Sequence, residues 1–240
     1  MKSLLYQIEQ AQNTGKKLLA VLIDPDKPSA DQLKATLNAI DERVVDMILI
    51  GGSQVENNRT DQILEQIRPH SNLPLVLFPG SSNQITEKAD SILFLSLISG
   101  RNPDYLIEEH IEAVPLIEST RLEVIPTAYI LIENGGSTSV ERVSGTKPLK
   151  RDNVDLISRT AKAGEYLGMK LIYLEAGSGA HSPVSEDIIS EVRKRVSVPL
   201  IVGGGVKTRD QIEKIYVAGA DMVVIGTAIE RDPSFLSELK

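Results

Sequence analysis

Residues Leu171–Gly205 read LIYLEAGSGAHSPVSEDIISEVRKRVSVPLIVGGG, and the fold turns on this stretch. An apolar run, Leu171–Leu174, opens into the glycine loop Gly177-Ser178-Gly179. An amphipathic span, Ser185–Val196, leads to a second apolar run, Leu200–Val202, which ends in Gly203-Gly204-Gly205. Short, nearly continuous apolar runs are the signature of strands buried on both faces. The span between them carries helical spacing. The unit is strand, helix, strand, with glycines at both strand ends.

The same grammar extends in both directions. Leu18–Ile23 ends in Asp24-Pro25-Asp26, Met47–Ile50 in Gly51-Gly52-Ser53, and Leu75–Phe78 in Pro79-Gly80. Ile92–Leu97 ends in Ser99-Gly100, Leu122–Ile132 in Glu133-Asn134-Gly135-Gly136, and Met222–Ile225 in Gly226-Thr227. Helices are expected over Ala30–Asp41, Gln62–Pro69, Tyr105–Ser119, Val154–Gly168 and Thr208–Ala218. Ser185 and Thr208 stand as N-caps, Thr208-x-x-Gln211 matching a capping box. Gly168 and Gly219 sit where a helix end wants a left-handed residue. Eight strand–helix alternations predict an α/β protein, a closed (β/α)8 TIM barrel forming one domain over residues 1–240. An open doubly wound sheet is the competing architecture. The segment from Gly80 to Ser91 is too short for a full crossover helix. A reduced or missing third helix would leave a slot in the outer ring.

Bulk properties set further bounds. The chain has 240 residues, 41% of them hydrophobic, no tryptophan and no cysteine, so the core must be aliphatic and no disulfide framework exists. The cysteine-free composition fits a reducing, cytoplasmic setting. A net charge of −7 argues against a nucleic-acid-binding surface. No apolar run is long enough to cross a membrane. Met1–Gln12 reads as an amphipathic opening helix rather than a signal peptide.

The chemistry gathers at the strand ends. In barrels of this kind the loops after strands seven and eight frequently bind phosphate. Here those are Gly204-Gly205 and Gly226-Thr227, whose backbone N–H groups can converge on an anion without a basic side chain. Tyr173 and Glu175 are two residues apart on one strand and therefore share a face. Glu175 reads either as a base for a substrate hydroxyl or as a carboxylate paired with Lys207 or Arg209. Asp24-Pro25-Asp26 reads as turn chemistry. Alternatively, Asp24 with Ser53 forms a sparse Mg²⁺ site, an ion content with one or two carboxylates plus substrate oxygens. The polar loop Glu133–Asn153 is either a lid or a surface excursion. His70 and His110 fall on helices and read as solvated, and His181 as a surface residue.

These residues, in this order, resemble the geranylgeranylglyceryl phosphate / heptaprenylglyceryl phosphate synthase family of prenyltransferases. The resemblance rests on Leu22-Ile23-Asp24-Pro25-Asp26-Lys27, Ile50-Gly51-Gly52-Ser53, Phe78-Pro79-Gly80, Tyr173 to Gly179, Val202-Gly203-Gly204-Gly205 and Gly226-Thr227, which span nearly the whole chain. The triple glycine is common among phosphate-binding barrels, whereas the Asp-Pro-Asp-Lys and Tyr-Leu-Glu-Ala-Gly-Ser-Gly elements are much more specific. The resemblance implies an ether bond formed between the C3 hydroxyl of sn-glycerol 1-phosphate and a polyprenyl diphosphate, geranylgeranyl diphosphate, with release of diphosphate, in phospholipid biosynthesis. It implies Mg²⁺ as cofactor, held at Asp24 and Ser53. It assigns the glycerol phosphate site to Tyr173, Leu174, Glu175, Ala176, Gly177, Ser178, Gly179, Gly204, Gly205, Gly226 and Thr227, with Glu175 and Tyr173 catalytic. Gly226-Thr227 stands where some members have Gly-Asn. The pattern is closer to the archaeal-like and Bacteroidetes-type group. A homo-oligomer and a transient contact with a membrane surface complete the expectation. The rivals are a sugar-phosphate isomerase or synthase on the same cradle, and a barrel that only binds a phosphometabolite.

Overall fold

A computed structural model of the chain describes residues 3–56 and 58–239. Met1 and Lys2, part of the expected opening helix, lie outside them. The strands are β1 (Leu18–Ile23), β2 (Met47–Ile50), β3 (Leu75–Leu77), β4 (Ser91–Leu97), β5 (Glu123–Leu131), β6 (Leu171–Glu175), β7 (Leu200–Gly203) and β8 (Met222–Ile225). All pair in parallel with their sequence neighbours, and β8 returns to β1, so the sheet is a closed barrel and not an open one. The helices are α1 (Leu4–Thr14), α2 (Ala30–Ala39), α3 (Arg59–Ile67), α4 (Glu108–Glu118), α5 (Ser139–Ser144), α6 (Val154–Tyr166), α7 (Glu186–Arg195), α8 (Arg209–Val217) and α9 (Thr227–Arg231).

Alternation along each strand divides the core in two. Leu19, Val21, Ile48, Ile50, Ile172, Leu174, Val202 and Ile225 face the helices. Ala20, Met47, Leu49, Val76, Tyr129, Tyr173, Ile201 and Val224 fill the barrel interior. Leu4, Ile8 and Ala11, one face of α1, pack against this inner set and close the bottom. The N-terminus of α1 is held there by Glu123 of β5, whose carboxylate accepts from Leu4 N (2.6 Å), Leu5 N (3.0 Å) and Ser3 Oγ (2.7 Å). An anion at a helix N-terminus satisfies otherwise orphaned donors.

Local signals hold with two adjustments. Thr208 Oγ1 caps α8 by accepting from Gln211 N, but Gln211 Oε1 accepts from Lys207 N, one residue before the cap, so the expected box is displaced. Ser185 occupies the N-cap of α7 without a side-chain bond. A closed capping box does form at Ser29 and Gln32 of α2. Between β3 and β4 only the 3-10 turn Ser82–Gln84 replaces a helix, as the short spacing requires. Gln84 is buried and pins this turn to the β2 loop, donating to Gly52 O at 2.9 Å.

Candidate active site

The mouth of the barrel is a cavity of about 860 Å³, lined from strand ends around the ring. Asp24, Ser53, Tyr173, Glu175, Ser178, Gly179, Gly204, Gly205, Gly226 and Thr227 all border it. Three of the expected residues do not. Leu174 and Ala176 turn to the outer layer beneath the helices, because strand alternation sends them away from Tyr173 and Glu175. Gly177 contributes its backbone, donating to Glu175 Oε1 at 2.6 Å.

Glu175 and Tyr173 are buried side by side, and the glycines explain how they fit. A Cβ on Gly203 would collide with the Tyr173 hydroxyl and lie 3.0 Å from Glu175 Oε2. A Cβ on Gly204 would collide with Glu175 Oε1, and Gly204 also needs its φ of +82°. Burial pushes the Glu175 carboxyl up to about 7, against the opposing pull of the Gly177 N–H and the neighbouring Tyr173 hydroxyl. That hydroxyl stands close enough to favour the charge, yet it is not aligned for a hydrogen bond with any described residue. Burial and the Glu175 charge hold Tyr173 well above the usual phenol range, so it remains a neutral donor. The pairing of Glu175 with Lys207 or Arg209 does not form. Lys207 Nζ donates to His181 O, and Arg209 pairs with Glu213. A carboxyl near neutral pH with no cation on it is suited to accept a proton.

Beside Glu175 run the tips of β6, β7 and β8. Among the described residues, none accepts from the backbone N–H of Gly179, Gly204, Gly205 or Thr227. Ser178 Oγ and Thr227 Oγ1 lie 3.3 Å apart beside them. Free amides with flanking hydroxyls suit a phosphoryl group.

On the opposite side, the Asp24 carboxylate lies flat over Gly52. A Cβ there would stand 3.1 Å from Cγ and from both oxygens, so the glycine makes the recess in which the carboxylate sits. Ser53 follows at the cavity edge. One accessible carboxylate and one hydroxyl form a hard-oxygen set that fits Mg²⁺ with its remaining positions left to water and substrate.

Sequence reading missed Tyr129. It is the register partner of Tyr173 on the neighbouring strand and forms a triangle of rings with it (5.4 Å) and with Phe78 (5.8 Å); Phe78 and Tyr173 are 5.3 Å apart. Its one signal was an aromatic interrupting an aliphatic run near a strand end. From this triangle a narrow groove of about 100 Å³ continues outward, lined by Ile85, Ile92, Leu95, Leu97, Tyr105 and Ala113. It occupies the slot left by the missing helix. His110, expected to be solvated, closes its wall instead. The imidazole is buried, bonded to Ser96 Oγ at 3.1 Å and set edge-on to Phe94. Burial lowers its pKa, so it is neutral at pH 7. His70 and His181 are exposed.

The 133–153 loop is docked over the mouth and is not a loose excursion. Leu149 bridges to Ile132, Asn102 Nδ2 donates to Ser144 O at 2.9 Å, and Tyr105 Oη donates to Val143 O at 3.2 Å. Within it α5 places Val140 and Val143 over both cavity and groove.

The chain is 53% identical over 229 residues to the geranylgeranylglyceryl phosphate synthase of Flavobacterium johnsoniae, covering 95% of this chain and 94% of that one. It is 41% identical over 216 residues to the enzyme of that name from Pyrococcus furiosus, with 90% and 85% covered. Its fold is similar to the crystal structure of (S)-3-O-geranylgeranylglyceryl phosphate synthase from Thermoplasma acidophilum in complex with the substrate sn-glycerol-1-phosphate. There the TM-score is 0.91 at 32% identity, over 100% of this chain and 96% of that one. The PcrB family matches residues 12–240, and with relatives this similar over nearly the full length, the chain belongs to that family.

Proposed function

We propose that this protein transfers a geranylgeranyl group from its diphosphate to the C3 hydroxyl of sn-glycerol 1-phosphate, forming an ether and releasing diphosphate, a step of ether phospholipid biosynthesis. The observation that carries the reading is Glu175: a buried carboxyl with a pKa of about 7 and no cation against it, beside the free amides of three glycine tips. A phosphate held by Gly204, Gly205 and Thr227 amides leaves the far hydroxyl of a three-carbon substrate directed at Tyr173 and Glu175. Glu175 takes the hydroxyl proton as the carbon–oxygen bond forms. Tyr173, a neutral donor, orients the diol. The Phe78, Tyr129 and Tyr173 rings cluster at the cavity wall, where aromatic quadrupoles would stabilise positive charge developing on an allylic carbon. The docked 133–153 segment keeps water from capturing that carbon.

Asp24 and Ser53 would hold Mg²⁺, which when bound neutralises the leaving diphosphate. The prenyl tail takes the groove behind Phe78, where each buried CH2 contributes about 0.8 kcal/mol. Cytoplasmic placement belongs to the same reading, supported by the cysteine-free composition. So do self-association and brief contact with a membrane surface, supported by Ile107, Ile111 and Val114, which are exposed along one face at the start of α4. No helix among the described residues is long and apolar enough to cross a membrane.

The test is incubation with radiolabelled sn-glycerol 1-phosphate, Mg²⁺ and prenyl diphosphates of several lengths, followed by solvent extraction. Lipid-soluble label, greatest with geranylgeranyl diphosphate and abolished by EDTA, is the expected outcome. Absence of label at every chain length, with turnover of a sugar phosphate instead, would replace this reading by that of an isomerase.

A further inference from the structure

Two anions must share one cavity if the proposed function holds, and both enter a chain of net charge −7. Their mutual repulsion has to be countered between them. Four cationic residues line the cavity: Lys27, Arg142, Lys207 and Arg231. Arg142 bonds within its own loop, to Ser137 O and Ser139 Oγ. Lys207 Nζ is held by His181 O. Lys27 alone, among the described residues, touches both sides of the mouth. Its Nζ lies 3.4 Å from Asp24 Oδ2 and 3.4 Å from Ser178 Oγ. Its remaining contact is Glu230 of α9, at 3.1 and 3.3 Å.

We propose that Lys27 is the cation shared by both substrates, one ammonium binding the glycerol phosphate at Ser178 and Thr227 and the prenyl diphosphate at Asp24. The inference rests on the proposed function and adds a binding residue to it. An ammonium carries three rotatable donors on a flexible stem, so it can serve two oxyanions at once where a guanidinium fork would favour one. Glu230 holds that ammonium in place while the cavity is empty, and phosphoryl oxygens take over from it on binding. The ammonium has to leave Glu230 only once, for whichever anion binds first, so occupancy of one anion site favours the other. Without it that coupling is lost, while the repulsion of the first anion still acts on the second. The position of Lys27, three residues after Asp24 across an Asp-Pro turn, follows from the strand end: Lys27 N donates to Asp24 O at 3.2 Å and folds the side chain back over the carboxylate.

Calorimetry separates the possibilities. Binding of sn-glycerol 1-phosphate is measured on the whole protein without metal, then with saturating inorganic pyrophosphate and Mg²⁺, for wild type, Lys27→Met and Lys27→Arg. Lys16→Met, which removes an exposed pair with Asp46 outside the site, controls for loss of charge. Thermal melts verify folding of each variant. Wild type should bind glycerol phosphate at least as tightly with pyrophosphate present. Lys27→Met should bind it roughly tenfold to a hundredfold more weakly, the scale of a lost charge-assisted bond, and pyrophosphate should weaken it further. Lys27→Arg should restore affinity for glycerol phosphate and only part of the coupling. If Lys27→Met matches wild type within twofold in affinity and in coupling, the inference is overturned. If wild type itself binds no glycerol phosphate, the proposed function fails, a result distinct from the first.

Discussion

Glu175 is the residue on which chemistry and stability pull in opposite directions. Folding raises its carboxyl pKa from the ordinary carboxylate range to about 7. The folded chain therefore binds that proton more tightly than the unfolded chain. The stability this contributes is full below the unfolded pKa and is lost as pH rises toward 7. Glu175→Gln should abolish the titration. At pH 8 the variant should be more stable than wild type by on the order of 3 kcal/mol, and at pH 4 it should be indistinguishable, by denaturant unfolding. Turnover should fall by about 10²–10⁴-fold. Wild-type kcat/KM should rise through pH 7 and level off above it, and that limb should vanish in the variant. Tyr173→Phe makes a contrasting case. The hydroxyl it removes is buried without a hydrogen-bond partner, so melting should be unchanged or slightly raised, while kcat/KM should drop about tenfold from loss of the group that orients the diol. A large destabilisation of Tyr173→Phe would mean that the hydroxyl is structural.

Among the elements, the absent helix between β3 and β4 has the largest consequence. Its replacement by the turn Ser82–Gln84 bares one side of β4 and leaves the groove between that strand and α4. Ala113 of α4 is nearly inaccessible and borders this groove, so a larger side chain there has only the groove to enter. Ala113→Phe should raise KM for geranylgeranyl diphosphate by tenfold or more and leave KM for glycerol phosphate unchanged. A short allylic diphosphate should be affected least, because methylenes that never reach Ala113 lose no burial. Steady-state kinetics with two chain lengths decide it; equal losses for both would place the tail elsewhere. The groove was foreseeable from a count of residues between Gly80 and Ser91. The docking of the 133–153 segment was not, because it depends on Gly177 having no side chain where Thr138 packs against it, a contact between loops of different strands.

At the scale of the whole molecule, closure of the barrel is secured at the end away from the chemistry. Asp221, at the start of β8, is nearly inaccessible and accepts from Leu200 N (2.9 Å), Arg193 Nη1 (2.9 Å) and Gln12 Nε2 (3.3 Å). One carboxylate thereby joins the opening helix, α7 and the β7–β8 seam. Asp221→Ala leaves the Arg193 charge partly buried and unpaired and should cost about 3–5 kcal/mol. Well below the melting temperature, kcat and both KM values should remain as in wild type. A kinetic defect at constant stability would show that the two ends of the barrel are coupled.

The strand and helix alternation, the glycine tips, the reduced third crossover and the Tyr173–Glu175 face were legible in the sequence, because each depends on local periodicity or on spacing along one segment. Properties that depend on what approaches from another segment were not. His110 directly follows two glutamates at the start of α4, yet packing against Phe94 and Ser96 of β4 makes it a buried, neutral wall. Tyr129 enters the site only through its register with Tyr173, and Lys27 only because the closed barrel brings the ends of β1 and β6 to the same ammonium. Likewise the burial of Glu175 without an ion pair, which raises its pKa, comes from packing that no single strand encodes. Periodicity along the chain set the barrel and the ring of loops. The titration, the groove and the ammonium that reaches both Asp24 and Ser178 come from through-space contacts that exist only once the ring has closed.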